Sequence, residues 1–190
     1  MFITLSSLFF LLFKSNKKNY FYFFLLGILF SFGQLLVSLF WIANAFEFVF
    51  AYGIYIGLIS ILFLAFALSV FYGICCIIIM YIYNIWQLNL LGCAFIFSIF
   101  LSLGEYLRGN ILGGFPWNII GYIWTDSLIM MQSLSLIGIY GLGLFTFLAA
   151  TSFFLVFKKI SSGFYVILPI IVFALYGEIR LYIKTNDFDK

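Results

Sequence analysis

Long, unbroken apolar runs constrain the fold of this chain more than any other feature. The runs are continuous rather than alternating, and short groups of polar residues separate them. A helix needs roughly 20 apolar residues to cross the hydrocarbon core of a bilayer, and only helices and closed barrels satisfy their backbone groups in lipid. Because unbroken runs favour helices over alternating barrel strands, we predict an all-α, polytopic transmembrane helix bundle.

The composition agrees with a membrane setting. Apolar residues make up 66% of the chain, aromatic residues 24% and charged residues only 8%. A soluble domain of this composition would expose large apolar patches to water. The net charge of +3 resides in short loops and the tail, without a basic face that interleaves with exposed aromatics, so we expect no nucleic-acid partner.

Polar residues divide the chain into about six hydrophobic segments, which predicts about five to six membrane segments. Their approximate limits are 2–13, 20–46, 52–83, 88–107, 128–157 and 164–183. The first segment is too short to span comfortably, and its lysines follow the apolar run, which is the wrong order for a signal peptide. We predict a membrane domain over 1–183 and a short extracytoplasmic tail over 184–190.

The orientation follows from the lysines, which lie in the loop after the first segment and in the loop after the fifth. These residues are Lys14, Lys17, Lys18, Lys158 and Lys159. Counting the crossings places both loops on one side of the membrane, and the positive-inside rule makes that side cytoplasmic. The segment 105–122 and the C-terminal tail are then expected to face outward.

Residues 104–122, which read GEYLRGNILGGFPWNIIGY, carry the densest set of special residues. Glu105 and Arg108 are three positions apart and share a face if the segment is helical. The glycines allow backbone conformations that are closed to other residues. Pro116 fixes its own φ and biases the preceding residue toward an extended conformation, and Trp117 suits a membrane–water boundary.

This pattern resembles the segment of bacterial apolipoprotein N-acyltransferases that runs acidic–aromatic–Leu-Arg-Gly, a spacer, Gly-Phe-Pro-Trp and then Gly-Tyr. The flanking features are similar too, from the lysine-rich loop and Gly-rich helix within 14–46 to the Gly-Ile-Tyr-Gly stretch at 138–141. The resemblance implies a multi-pass protein of the bacterial inner membrane. In the family, an extracytoplasmic nitrilase-like domain with a Glu–Lys–Cys triad follows at the position of the tail 184–190.

The resemblance implies a function for the full enzyme. It would transfer an acyl chain from a membrane phospholipid, through a cysteine thioester, to the N-terminal cysteine of a diacylated lipoprotein. This chain would be its membrane domain, as a gene fragment or as one half of an enzyme whose partner is a separate nitrilase-like chain. Whether it is an enzyme stays open, because the triad domain is not in this sequence. The alternative is a non-catalytic lipid-binding or transport membrane protein on the same scaffold.

The candidate substrate-binding residues are Glu105, Arg108, Phe115, Pro116 and Trp117. Glu105 and Arg108 have two interpretations: an ion pair at a helix end, or an Arg108 that binds a phosphate while Glu105 holds it in place. The Gly-Phe-Pro-Trp turn also has two, a rigid re-entry with an interfacial Trp and a wall of the cleft that admits lipid acyl chains. These two roles are compatible with each other.

No residue of this chain is predicted to be catalytic, and we expect no metal and no cofactor. The three cysteines, Cys75, Cys76 and Cys93, lie in apolar runs without a charged neighbour that would favour a thiolate. There is no histidine, which removes the commonest general base and zinc ligand. The glycines at 138, 141 and 143 are interpreted as sites of close helix packing rather than a nucleotide loop.

Overall fold

A computed structural model of the chain describes residues 1–14, 19–48, 52–111, 113–158 and 160–188. Within these ranges the regular structure is entirely helical. The helices are α1 (Phe2–Lys14), α2 (Tyr20–Ser38), α3 (Trp41–Glu47), α4 (Gly53–Trp86), α5 (Leu90–Asn110), a 3-10 helix (Ile120–Trp124), α6 (Leu128–Met131), α7 (Leu134–Lys158) and α8 (Ile160–Phe188). Five are long and apolar enough to cross a membrane. The predicted all-α, multi-pass membrane bundle is therefore confirmed.

Two of the predicted segments are interrupted by turns. The segment 20–46 contains the end of α2 and the start of α3, and the segment 128–157 contains α6 and α7. Leu39, in the first of these turns, is fully buried, so the apolar character continues through the change of direction. Hydropathy reports which residues avoid water and carries no information about backbone direction, so it does not mark such turns.

The core of the bundle lies where α1, α2, α4, α5 and α7 meet. α2 packs along α4, α5 contacts both α4 and α7, and α8 packs against α7. Four phenylalanines of this core are fully buried: Phe9, Phe23, Phe97 and Phe147. The rings of Phe9 and Phe97 meet edge to face with centroids 5.4 Å apart, a favoured aromatic arrangement. α1 packs on α7 but touches α2 at few positions, which leaves a groove between α1 and α2.

The bundle has two distinct ends. At one end the Asn84 amide donates to the Tyr20 hydroxyl at 3.4 Å, which joins the end of α4 to the start of α2. Rings of Phe10 and Phe154 meet near the same end, with centroids 5.1 Å apart. We call this the lysine end, because α1 and α7 finish here with Lys14 and Lys158. The opposite end carries residue 111 and residues 113–127 and is called the loop end.

The shared position of Lys14 and Lys158 agrees with the predicted orientation, which needs both lysine loops on one side. Lys17, Lys18 and Lys159 lie outside the described residues. Which side of the membrane the lysine end faces stays a prediction. The predicted boundary between 1–183 and the tail 184–190 falls within α8, which continues to Phe188, and residues 189 and 190 lie outside the described residues.

The outer faces of the long helices are apolar. On α4, Phe63 is 72% exposed and Phe66 and Ile59 are also exposed, and on α8 the same holds for Leu175 and Ile179. A contiguous surface of this kind is unfavourable in water and is the ordinary surface of a helix that faces lipid.

Candidate functional site

Two charged side chains are buried at the loop end of α5. Glu105 is 1% exposed and Arg108 is 4% exposed. Charged residues are rarely buried to this degree unless they have partners, and inside a membrane protein they are functional candidates. Both lie on the inward face of α5, so the shared face predicted from their spacing is confirmed.

The Glu105 carboxylate is held by two groups from elsewhere in the chain. The Tyr72 hydroxyl of α4 donates to one carboxylate oxygen at 3.1 Å. The Ile120 backbone N–H, at the start of the 3-10 helix, donates to both oxygens at 3.1 and 3.0 Å. One buried carboxylate therefore links α4, α5 and the loop-end segment through hydrogen bonds to a charged acceptor, which are among the stronger ones in proteins.

Gly143 of α7 explains how the loop-end segment approaches this carboxylate. A Cβ on Gly143 would lie 3.0 Å from Ile120 Cγ2 and 3.7 Å from a Glu105 oxygen. The prediction of close packing is confirmed for Gly143. It is wrong for Gly138, where a Cβ would meet nothing within 4 Å. Gly138 has a φ of +64° at a kink in α7, so its backbone conformation is the reason for a glycine there.

Arg108 has fewer partners than a buried guanidinium needs. One terminal nitrogen, Nη2, donates to the Asn118 carbonyl at 3.4 Å, which is long for a hydrogen bond. Nε and Nη1 are buried and have no hydrogen-bond partner. None of these nitrogens is hydrogen bonded to Glu105, so the direct ion pair considered from the sequence is not formed. Buried donors without partners are costly and are commonly completed by a water, an ion or a ligand.

Asn118 connects Arg108 to α2. Its backbone is left-handed, with a φ of +58°, a conformation that Asn adopts more readily than most residues. Its carbonyl accepts from Arg108, and its side-chain amide donates to Ser38 Oγ at 3.0 Å. Asn118 thus stands between the unsatisfied guanidinium and the groove, whose walls include Ser38 and Asn118.

The Gly-Phe-Pro-Trp turn folds back over the end of α5. The Phe115 N–H donates to the Arg108 carbonyl at 2.8 Å, and Gly114 has a φ of +73°, a conformation that favours glycine. Trp117 is 54% exposed and Pro116 is also exposed, whereas Phe115 is half-buried. The Trp117 ring lies 5.7 Å from that of Trp41 on α3, measured between centroids.

The five residues singled out from the sequence therefore lie at one end of the bundle but face different environments. Glu105 and Arg108 point into the bundle, and Pro116 and Trp117 lie at its surface. Sequence reasoning missed Tyr72, Ser38 and Asn118. Tyr72 is 33 positions from its partner in an uninterrupted apolar run, and nothing in the sequence marks it. Asn118 follows the motif directly, and a polar residue there was a usable signal.

The three cysteines lie in the helix core. Cys76 is fully buried, and Cys75 and Cys93 are nearly so. The Cys75 thiol donates to the Phe100 carbonyl at 3.1 Å. Within the described ranges, no group of three or more His, Cys, Asp and Glu side chains comes together that could hold a metal ion.

Comparison with known proteins bears on the identity of this bundle. Residues 1–152 match the family described as the apolipoprotein N-acyltransferase N-terminal domain. The apolipoprotein N-acyltransferase of Rickettsia bellii (strain RML369-C) is 32% identical over 171 residues, which cover 86% of this chain and 33% of that protein. That of Allorhizobium ampelinum (strain ATCC BAA-846 / DSM 112012 / S4) is 35% identical over 134 residues, which cover 66% of this chain and 24% of that protein.

Another relative has a higher sequence identity to this chain over a shorter stretch. The apolipoprotein N-acyltransferase of Rhodopseudomonas palustris (strain ATCC BAA-98 / CGA009) is 51% identical over 49 residues, or 26% of this chain. No solved structure matches the chain. The chain spans about a third of the length of the Rickettsia bellii protein. Since the family match extends over most of the 190 residues, the chain belongs to the apolipoprotein N-acyltransferase family and corresponds to its N-terminal domain.

Proposed function

We propose that this chain is the membrane domain of an apolipoprotein N-acyltransferase. The complete enzyme would transfer an acyl chain from a phospholipid to the N-terminal cysteine of lipoproteins. Family membership supports the proposal, and the observation that carries it is the buried Arg108 with two unpartnered nitrogens at the loop end. Such a cation is suited to an anionic ligand, and a phospholipid acyl donor carries a phosphate.

Arg108 is assigned the role of phosphate ligand. A guanidinium binds phosphate through two parallel N–H donors, which a lysine ammonium does not reproduce. The contact from Nη2 to the Asn118 carbonyl is long, so a phosphate oxygen competes with it readily. Because Nε and Nη1 are both without partners, each edge of the buried guanidinium has at least one donor that the protein leaves unsatisfied.

Glu105 is assigned a positioning role. Its carboxylate is occupied by Tyr72 and by the Ile120 N–H, so it holds the loop-end segment against α4 and α5 rather than binding substrate directly. Phe115, Pro116 and Trp117 form the outer wall of the same end, where exposed aromatic and apolar surface suits contact with acyl chains.

The loop end is proposed to face outward from the bacterial inner membrane. Lys14 and Lys158 at the opposite end support this orientation through the positive-inside rule. Acyl transfer by the complete enzyme would then take place on the outer side. The nitrilase-like part with the Glu–Lys–Cys triad would come from a further stretch of polypeptide, and a separate chain is one way to supply it.

The test adds a polypeptide that contains the nitrilase-like part. The chain is co-expressed with the portion of the Rickettsia bellii protein that lies beyond the matched region, in cells depleted of their own N-acyltransferase. Mass spectrometry of lipoprotein N-termini measures the third acyl chain. We expect N-acylation only when both polypeptides are present, and less of it with Arg108→Lys.

The control is the Rickettsia bellii portion expressed alone. N-acylation by that portion alone, or none with the pair when both are present in the membrane, contradicts the proposal. Retention of phospholipid by this chain without any acyl transfer would instead support a non-catalytic lipid-binding or transport protein.

A further inference from the structure

The groove between α1 and α2 is a large concave surface that none of the roles above uses. Its volume is about 930 Å³, and α1, α2 and residues 118, 119, 122 and 123 form its walls. Ligand sites in proteins commonly have volumes of about 300–1,000 Å³. The groove is therefore of a size to hold a ligand.

The polar side chains of the groove are confined to its loop end. Toward the lysine end the walls consist of side chains such as Leu11, Leu26 and Leu29. At the loop end the apolar residues Met1, Val37, Ile119 and Ile123 alternate with polar ones. These polar residues lie within about two helical turns of that end, and they are Thr4, Ser7, Gln34, Ser38, Asn118 and Tyr122. This distribution matches an occupant with an apolar tail and a polar head that lies at the loop end.

Gln34 is a polar residue of the groove whose side-chain amide lacks a hydrogen-bond partner within the described part of the chain. Thr4 and Ser7 donate their hydroxyls to the carbonyls of Met1 and Ile3 in their own helix, at 2.7 and 2.9 Å. The Gln34 amide has no such partner among the described residues. A polar group at membrane depth is costly without a partner. The carbonyl of a lipid ester is an acceptor of the kind that the Gln34 amide lacks.

The charge at the loop end of the groove favours an anionic head. Asn118 and Ser38 line the groove, and directly behind Asn118 lies Arg108 with its unpartnered Nε and Nη1. A buried cation of this kind attracts a phosphate and disfavours a neutral or cationic group.

The length of the groove also suits an acyl chain. The part of α2 that lines the groove, from Leu26 to Ser38, is about 18 Å long at 1.5 Å per residue. An acyl chain is much narrower than a helix and can lie along this length.

We propose that the groove between α1 and α2 binds an acyl chain of a membrane phospholipid, whose headgroup lies against Ser38 and Asn118 with its phosphate directed to Arg108. The inference rests on the proposed function in one respect, since it identifies the surface that holds the acyl donor. The groove is a different surface from the wall formed by Phe115, Pro116 and Trp117, which lies on the α3 side of the loop end.

Gly33 provides a direct means of blocking the groove. It lines the groove, and a Cβ added there would meet nothing within 4 Å. Gly33→Trp therefore fills the groove without a clash inside the bundle. Val37→Trp is a second blocking variant, since Val37 also lines the groove and is 80% exposed. Leu25→Trp is the matched control, on an exposed position of α2 outside the groove.

The experiment uses the full chain in vesicles of phosphatidylethanolamine and phosphatidylglycerol, with a trace of phosphatidylethanolamine that carries a diazirine midway along one acyl chain. After illumination, mass spectrometry of peptides measures the labelling of the groove and of the outer face of α4 around Phe63. We expect the groove to be labelled several-fold more than the α4 face. Both blocking variants should remove this excess, and Leu25→Trp should keep it.

Equal labelling of the groove and the α4 face in the wild-type chain overturns the proposal. So does an excess that both folded blocking variants retain, with folding checked by circular dichroism. A second copy seated in the groove would appear as a disulfide-linked dimer of Gly33→Cys without excess lipid labelling, and that result also overturns it.

The co-expression assay separates this proposal from the proposed function. Acyl transfer that persists undiminished in Gly33→Trp and Val37→Trp removes the groove from the reaction and leaves the proposed function in place. Specific labelling of the groove, together with no acyl transfer by the wild-type pair, would leave the groove as a lipid site and contradict the proposed function.

Discussion

The hydrogen bond from Tyr72 to Glu105 offers a test of how the buried charges contribute to stability. Tyr72→Phe removes one donor to the carboxylate and leaves the ring in place. Hydrogen bonds to charged groups contribute about 1.5–3 kcal/mol, whereas side-chain hydrogen bonds within membrane proteins average about 0.6 kcal/mol and reach about 1.7. The two ranges meet near 1.5 kcal/mol, so we expect Tyr72→Phe to lower the free energy of unfolding by about that amount, roughly tenfold in the folded-to-unfolded ratio.

Glu105→Ala should cost more. It removes the acceptor of both Tyr72 and the buried Ile120 N–H, and it leaves Arg108 buried without an opposite charge on its own helix face. Removing one member of a buried charged set typically costs about 3–5 kcal/mol. The double variant should be no less stable than Glu105→Ala alone, because Tyr72 has already lost its acceptor.

Unfolding by sodium dodecyl sulfate in mixed micelles measures these free energies, with the buried cysteines as reporters that react with a maleimide only after the bundle opens. Tyr55→Phe is the control, because Tyr55 is 64% exposed on α4, and it should change stability little. If Tyr72→Phe matched this control, or if the costs of Tyr72→Phe and Glu105→Ala simply added, the carboxylate would not be coupled to Tyr72 as described.

Three further predictions concern topology, reactivity and lipid. A reporter fused after Lys159 should be cytoplasmic, and one fused after Tyr122 should be extracytoplasmic. Enzyme reporters that are active in only one compartment measure this. If both reporters lie on the same side, the predicted number of spans is wrong. The purified chain, given phospholipid and a diacylated lipopeptide, should form no thioester at its three buried cysteines, and intact-mass measurement of an acyl adduct on any of them would contradict this. Arg108→Lys should weaken phospholipid retention in native mass spectrometry by about tenfold or more, since a charge-assisted contact contributes about 1.5–3 kcal/mol. Trp117→Ala should also weaken it, and equal retention by both variants and wild type would leave the loop end with a structural role alone.

Local patterns in the sequence were sufficient for the helices and for part of the site. Unbroken apolar runs predicted the five long spans, and the three-residue spacing of Glu105 and Arg108 predicted their common face. Both predictions depend only on residues close together in the chain. The turn at Leu39 was missed because its residues are apolar and buried, so nothing in their hydropathy distinguishes the turn from the helices beside it.

Long-range partners could not be predicted in this way. The acceptor role of Glu105 depends on Tyr72, which the packing of α4 against α5 brings alongside it. The single long contact of Arg108, from Nη2 to the Asn118 carbonyl, depends on the position of Asn118, which a left-handed backbone sets. The groove exists because α1 packs on α7 instead of α2, and that choice results from side-chain fit over the whole bundle.

The contact between Tyr72 and Glu105 also fixes the relative heights of α4 and α5. Beyond Tyr72, α4 continues toward the loop end for the 19 residues back to Gly53, about 28 Å at 1.5 Å per residue. Beyond Glu105, α5 continues for only five residues to Asn110, about 8 Å. α3 and the first turns of α4 therefore extend roughly 20 Å beyond the end of α5. The Gly-Phe-Pro-Trp turn occupies this step, because Phe115 packs against residues of α2 and α4 and the Trp117 ring lies beside Trp41 on α3. Buried Arg108 lies at the foot of the step, beneath this turn. The turn, rather than a longer α5, thus covers the buried charges at this end of the bundle.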